Sequence, residues 1–357
     1  MTYGLTADIH AHPWSLFSKV DADGVNSRLV TIMDEFERAA QVTVEKGGKR
    51  LYVAGDLFHV RGKMETVVFN YVLDRLDLIA SAHDVELRIM PGNHDLDGAE
   101  VTFLGNAVTG LGRRGITTVQ RPTWFNDDQV AMVPWQNTRK GLMDAIEKLA
   151  ADMGDAGEMV ANYDLILHTG INGVIIGMPP HGWAPEELAG FGFKRVFSGH
   201  YHNHKVFDLV DSQVISIGAS THQTWSDVQS KAGFLTVGNR DFTFHDTKAP
   251  KFMDFDPLSD DLTPYIGNYV RVRGIELEEH EIKVLKTALT DMGVAGLVIP
   301  PFSRSKLVVR PGTTASAGKA AKVETSITDW IKASEFKHKE AVEKAALDIL
   351  VDARSAE

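Results

Sequence analysis

The sequence predicts an α/β protein, and three observations carry that expectation. Apolar strand-like runs alternate with amphipathic helical stretches from the N-terminus to about residue 200. Each of the main runs stops at a cluster of polar residues. After residue 204 the texture changes to short β segments, KVFDLV, VISIGAS, GFLTVG and DFTFHD. Strand–helix–strand alternation implies parallel strands joined by crossover helices. In open α/β sheets, ligands gather at the carboxyl ends of such strands.

The elements follow in order. Residues 5–7 lead an apolar strand into Asp8. A helix is expected at about 25–46, with Leu29, Ile32, Met33, Phe36 and Ala40 at helical spacing, and Gly47 and Gly48 stop it. Residues 51–54 (LYVA) are a short buried strand, 65–82 a helix on Val68, Val72, Leu76 and Ile79, and 87–90 (LRIM) the next strand. Strands at 130–133, 164–167 and 195–198 continue the pattern, with a helix at about 138–152. The short β segments that follow read as the antiparallel edge of a second sheet. Residues 247–265 hold Pro250, Pro257 and Pro264 and read as a linker. Beyond them YVRVRG, a helix at 278–292, GLVIP and KLVVR make a small α+β module. PGTTASAGKAAK (311–322) is a low-complexity linker, and a helical stretch follows it. The expected organisation is a main domain at 1–250, a capping domain at 265–310, a linker at 311–322 and a helical tail at 323–357.

Composition narrows the function classes. The chain has no cysteine, which excludes disulfides, thiolate metal sites and cysteine nucleophiles. No basic stretch followed by an apolar run opens the sequence, and no apolar run approaches the roughly 20 residues that span a bilayer. A soluble cytoplasmic protein is therefore expected. The net charge of −11 works against non-specific binding to nucleic acid. Arg61, Lys63, Arg139 and Lys140, in loops near the strand ends, are candidate basic contacts, as is the acid-free stretch 300–322.

The clusters at the strand ends are ADIH, GDLFH, GNHD, LHTG and GHYH. They supply Asp8, His10, Asp56, Asn93, His168, His200 and His202, which are two carboxylates, one amide and four imidazoles. Oxygen and nitrogen ligands without sulfur suit divalent first-row metals. Seven ligands exceed the need of one such ion, so two ions are expected. The D-x-H and H-x-H spacings place both side chains on one side of an extended chain. Two ions form a clamp for phosphoryl transfer, with one carboxylate bridging them, and Asp56 is the candidate bridge. His94 is left over as an acid–base group, with Asp95 beside it to orient it. A lone D-x-H or H-x-H arises by coincidence, but the whole ordered set after apolar strands does not.

These signatures resemble those of the calcineurin-like metallophosphoesterases. GDLFHVRG, VPW at 133–135, SGHYH at 198–202 and ISIGAS at 215–220 with GF at 233–234 resemble, more narrowly, the SbcD-type nucleases of DNA double-strand-break repair. The recombination endonuclease subunits of tailed phages look most similar. The resemblance implies a four-layer α-β-β-α sandwich with a small α+β cap and a helical tail. It implies one metal held by Asp8, His10, Asp56 and His202 and another by Asp56, Asn93, His168 and His200. His94 would be the catalytic histidine and His59 a second histidine over the site. It further implies a manganese-dependent DNA exonuclease and endonuclease in DNA repair and recombination, a homodimer, and an SMC-like coiled-coil ATPase partner of SbcC type. The location would be the cytoplasm, that of a bacterial host if phage-encoded. The chain departs from the family at Ala11–His12–Pro13, His12 and His204 are extra histidines near the clusters, and His181, in GMPPHGW, reads as a loop residue rather than a ligand. The alternative is a metallophosphoesterase for a small nucleotide or cyclic nucleotide.

Overall fold

The computed structural model describes residues 2–59, 63–256, 261–273 and 277–299, with scattered residues between 328 and 346. The chain divides into two compact units, Met1–Phe302 and Ser303–Glu357. The first holds all the strands described here.

Strands β1 (Tyr3–Thr6), β2 (Arg50–Ala54), β3 (Glu86–Met90) and β4 (Ile116–Thr118) run parallel as neighbours in one sheet. A second sheet holds β5 (Thr123–Phe125), β6 (Val130–Val133), β7 (Asp164–His168), β8 (Arg195–Gly199), β9 (Lys205–Asp208) and β10 (Gln213–Ser216). The chain then returns to the first sheet with β11 (Gly233–Val237) and β12 (Phe242–Asp246), giving six strands in each. Helices α1 (Ser27–Glu45) and α2 (Thr66–His83) pack on the outer face of the first sheet, and α3 (Arg139–Asp155) and α4 (Pro185–Ala189) on that of the second. The result is a four-layer α-β-β-α sandwich.

Local chemistry explains the helix limits. The Asn26 side chain caps α1 by accepting from the amides of Arg28 and Leu29, and Gly47 ends it at a left-handed φ of 82°. The stripes read from the sequence, Leu29, Ile32, Met33 and Phe36 on α1 and Val68, Val72, Leu76 and Ile79 on α2, are all buried. Between the sheets, Leu5, Tyr52 and Met90 meet Met132, Ile166, Phe197 and Ile215 in one dry apolar layer.

Two expectations need correction. The segments after residue 204 are not one antiparallel edge. Strand β10 runs parallel to β8, β9 alone of these segments is an antiparallel edge of the second sheet, and β11 and β12 pair antiparallel in the first. Their alternation fits either sheet, and the covering layer chooses between them. The segment 247–265 is not only a linker. It contains β13 (Phe252–Asp254), which pairs in parallel with β14 (Tyr269–Arg271), itself parallel to β15 (Gly296–Val298), beside helix α5 (Glu279–Asp291). This small sheet is fastened to the sandwich by aromatic contacts. Phe17 stacks on Tyr269 at 4.9 Å, and the buried Arg28 guanidinium lies over Phe252 and Tyr269 while donating to the carbonyls of His222 and Gln223. KLVVR, the linker 311–322 and most of the tail lie outside the described residues. In the second unit, Thr328, Asp329, Ile331, Lys332, Lys339, Glu340, Val342, Glu343, Lys344 and Ala346 are helical. No described helix is long and apolar enough to cross a membrane.

At the amino ends of the parallel strands a buried ion pair ties the two sheets. The Arg195 guanidinium donates twice to Asp164, at 2.8 and 2.6 Å, and also to the Gly238 carbonyl. The Tyr3 hydroxyl donates to the same carboxylate at 2.8 Å. Both charged residues are about 4% exposed, so removing one partner leaves the other buried without its counter-charge. Asp164→Ala is expected to cost about 3–5 kcal/mol in denaturant unfolding. An effect below about 1 kcal/mol would show that this pair does not hold the sheets together.

Candidate metal centre

The site lies at the opposite end, where strands of both sheets release their chains. Asp8 and His10 follow β1, Asp56 follows β2, Asn93 and His94 follow β3, His168 ends β7, and His200 and His202 follow β8. The turn after β1 runs beside the turn after β2. The amides of His10 and Ala11 donate to the carbonyls of Asp56 and Leu57 at 3.0 and 2.8 Å. These turns are strained. Asp8, His10 and Asp56 have left-handed φ values of 49°, 47° and 52°, and His200 has 106°. Such residues cost about 1–3 kcal/mol each and persist only where their surroundings fix them. The D-x-H pair therefore converges through kinked backbone rather than through the extended chain assumed from its spacing. Gly55, at φ 87°, and Gly92 leave the room. A Cβ at the first would strike the His168 ring, and one at the second the Asp56 carboxylate.

The expected ligands collect into two adjoining groups, and His10, His59 and His94 make a third beside them. Asp8, His10 and His202 offer donor atoms within 4.8 Å of one another, and so do Asp56, His168 and His200. Asn93 joins the second, its Oδ1 lying 3.1 Å from His168 Nε2 and 3.0 Å from His200 Nδ1. Asp56 stands between the groups. Its Oδ1 accepts the His94 amide at 2.8 Å, while its Oδ2 lies 3.7 Å from His10 Nε2 and 3.2 Å from His168 Nε2. The Nε2 atoms of His10 and His202 face each other at 3.2 Å. That approach of two ring nitrogens calls for a proton or a cation between them. Buried carboxylates and imidazoles converging in this way fit divalent ions with oxygen and nitrogen ligands.

Electrostatics gives the same picture. Burial alone would pull the His168 imidazole down, but Asp56 outweighs it and holds His168 up at about 9. Burial opposes the Asp56 charge, yet His168 and His10 keep this carboxyl far below the usual range. Burial raises Asp8. His200 falls to about 3, through burial and the neighbouring His168. His168 and Asp56 favour each other's charged forms, and a divalent cation could take the place of the imidazole proton.

The outer partners differ in part from expectation. Asp95 does not orient His94. Its oxygens accept the amides of Phe58 and Gly92 at 2.8 Å and of Leu57 at 3.3 Å, so it braces two loops against each other. His94 is held instead by the carbonyl of His59, 3.0 Å from its Nδ1. The His59 ring stacks on His94 at 5.1 Å and 10°, and its Nδ1 lies 3.1 Å from that of His10. His12 packs edge-on to Trp14 and tilted against His59. His204 stacks on Phe244, away from the clusters, and His181 lines a cleft beside His200. Arg139 and Lys140 are paired with Glu187 and Asp144, so neither is a bare cation, and Arg61 lies outside the described residues.

Two positioning residues escaped the sequence reading. Asp227 Oδ1 lies 2.8 Å from His202 Nδ1, which turns Nε2 toward His10. Its other oxygen accepts the amides of Gln223 and Thr224, and the Gln223 side chain donates to the Asp8 carbonyl at 3.0 Å. One carboxylate thus steadies both ends of the first group. Thr224 and Asp227 form a capping-box spacing, which signals a helix start and not a ligand partner.

No family model and no curated protein matches the chain. Solved structures that it resembles include the TT1561 protein of Thermus thermophilus, at 11% identity and TM-score 0.45, covering 69% of this chain and 98% of that one. A dimetal phosphatase from Danio rerio matches at 12% identity and TM-score 0.42, covering 66% and 91%. An archaeal phosphodiesterase matches at 12% and 0.34, covering 69% and 99%. At these values the likeness adds no weight to the geometry of the site.

A carboxylate behind a ligating histidine is worth about 10–100-fold in metal affinity. Asp227→Ala should therefore weaken manganese binding in calorimetry by that factor, with the fold intact by circular dichroism. Unchanged affinity would remove Asp227 from the centre.

Proposed function

We propose that the chain is a two-metal phosphodiesterase that hydrolyses DNA with manganese. The observation that carries the two-metal reading is the position of Asp56 Oδ2 between His10 Nε2 and His168 Nε2. One ion would be held by Asp8, His10, Asp56 and His202, and the other by Asp56, Asn93, His168 and His200. When bound, such ions neutralise phosphate oxygens and draw a nucleophile from water at neutral pH.

The protein's own groups do the rest. A carbonyl oxygen only accepts, so the bond to His59 puts a proton on His94 Nδ1 and leaves Nε2 for the substrate. In the doubly protonated ring the Nε2 proton would go to the leaving oxygen, leaving His94 as the neutral Nδ1–H imidazole. The stacked His59 ring fixes the orientation of the His94 ring. Burial and His94 lower His59 to about 4, so it stays neutral and does not compete for that proton at pH 7. DNA as the substrate is supported by the GDLFHVRG, VPW and SGHYH resemblance. The same resemblance supports a homodimer and an SMC-like ATPase partner meeting the tail.

Purified protein with manganese is expected to degrade linear DNA, and a chelator to stop it. Rapid turnover of cyclic AMP with no cleavage of duplex or single-stranded DNA would instead place the chain with small-nucleotide phosphodiesterases. His94→Ala is expected to lose about 10²–10⁴ in rate while keeping both ions. Asp56→Ala should lose ions, as read by plasma emission analysis. Fewer ions in the His94 variant would refute this division of roles.

A further inference from the structure

We propose that the cleft beside His200 is a subsite for the heterocyclic base of the nucleotide next to the scissile phosphate. The proposal rests on the phosphodiesterase reading above and specifies its substrate. The cleft has a volume of about 160 Å³, and its walls include Trp135, Gln136, Asn137, Trp183, His200 and Tyr201. His200 belongs to both sites. It is a wall of the cleft and a member of the Asp56–His168 group. A ring seated in the cleft is therefore one imidazole away from where a phosphate would meet the metals.

Three features favour a base as the occupant. The first is aromatic surface. The rings of Trp135 and Tyr201 lean on His200 at 5.5 and 5.2 Å, tilted by 31° and 33°. The Trp135 indole N–H donates to the Ala99 carbonyl at 3.1 Å, which pins the ring and leaves its face for stacking. Stacking suits any base, since every base has a π face. The second is charge. The guanidinium that lines the cleft, Arg139, lies over the Trp183 ring, pairs with Glu187 and donates to the Gly182 carbonyl. A neutralised cation is a poor seat for a second phosphate and leaves the cleft suited to a neutral ring. The third is polar reach. Gln136 donates to the Pro134 carbonyl, so its amide oxygen can still accept, and Asn137 is exposed at the rim with a donor and an acceptor for a base edge.

A base held in a duplex stack cannot enter this cleft. The nucleotide must be unstacked first, so single strands, frayed ends and mismatched ends are the favoured substrates.

The test compares cleavage, with manganese, of a single-stranded oligonucleotide and of the same strand with an abasic site on one or the other side of the cleaved bond. Methyl p-nitrophenyl phosphate, which has no base, is the reference. Wild type should lose roughly tenfold or more in kcat/KM with the abasic site on one side only. Trp135→Leu should lose that discrimination, its ratio of kcat/KM on normal and abasic strands falling to about one. The wild-type comparison stands even if the variant does not fold. Equal cleavage of normal and abasic strands by wild type, with the reference ester hydrolysed, overturns the base subsite and leaves the phosphodiesterase reading standing. Hydrolysis of none of these substrates overturns both.

Discussion

A carboxylate that accepts a backbone amide through one oxygen and aims the other between two imidazoles cannot be buried without positive charge beside it. Asp56 is in that position, about 1% exposed, and the rest of the site is arranged around it. The His94 amide reaches one oxygen only because Asn93–Asp95 forms a tight 3-10 turn directly after β3. Gly55 and Gly92, which carry no Cβ, leave the room that the His168 ring and the Asp56 carboxylate occupy. The His168 imidazole, held up by Asp56, is one counterpart to that charge. Ions there would meet it with ligands drawn from both sheets. The cost of burying so many polar groups is what makes a cation bind there.

The sandwich separates this strained end from a stable one. At the carboxyl ends of the parallel strands, four non-glycine residues hold positive φ values. At the amino ends, Arg195, Asp164 and Tyr3 form a fully paired network across the two sheets. The apolar layer between them carries no polar work. Strain at one end is tolerated because the interlayer packing and the opposite clamp do not depend on it. The capping sheet is linked to the site by a short route, from Tyr269 and Phe252 through Arg28 to the carbonyls of His222 and Gln223, and from the Gln223 side chain to Asp8.

Much of this was legible in the sequence, for a physical reason. Parallel strands buried on both faces read as continuous apolar runs, and their ends read as sudden polarity. Residues 130–133 are a strand with the limits expected for them, and His168 ends β7 as its run implied. What was not legible depends on tertiary choice. The segments GFLTVG and DFTFHD alternate equally well for either sheet, and only packing sends them back to the first. Asp95 stands next to His94 in sequence, but the 3-10 turn points it into the loop amides instead. Asp227 carries no metal-like spacing and lies 25 residues from His202, the ring it orients.

The central claim is that Asp56 is shared by two ions. Anomalous diffraction from crystals soaked in manganese measures this directly. The account expects two peaks about 3.5–4 Å apart, with an Asp56 oxygen in contact with both. A single peak, or two peaks with Asp56 bound to neither or only one, would contradict it.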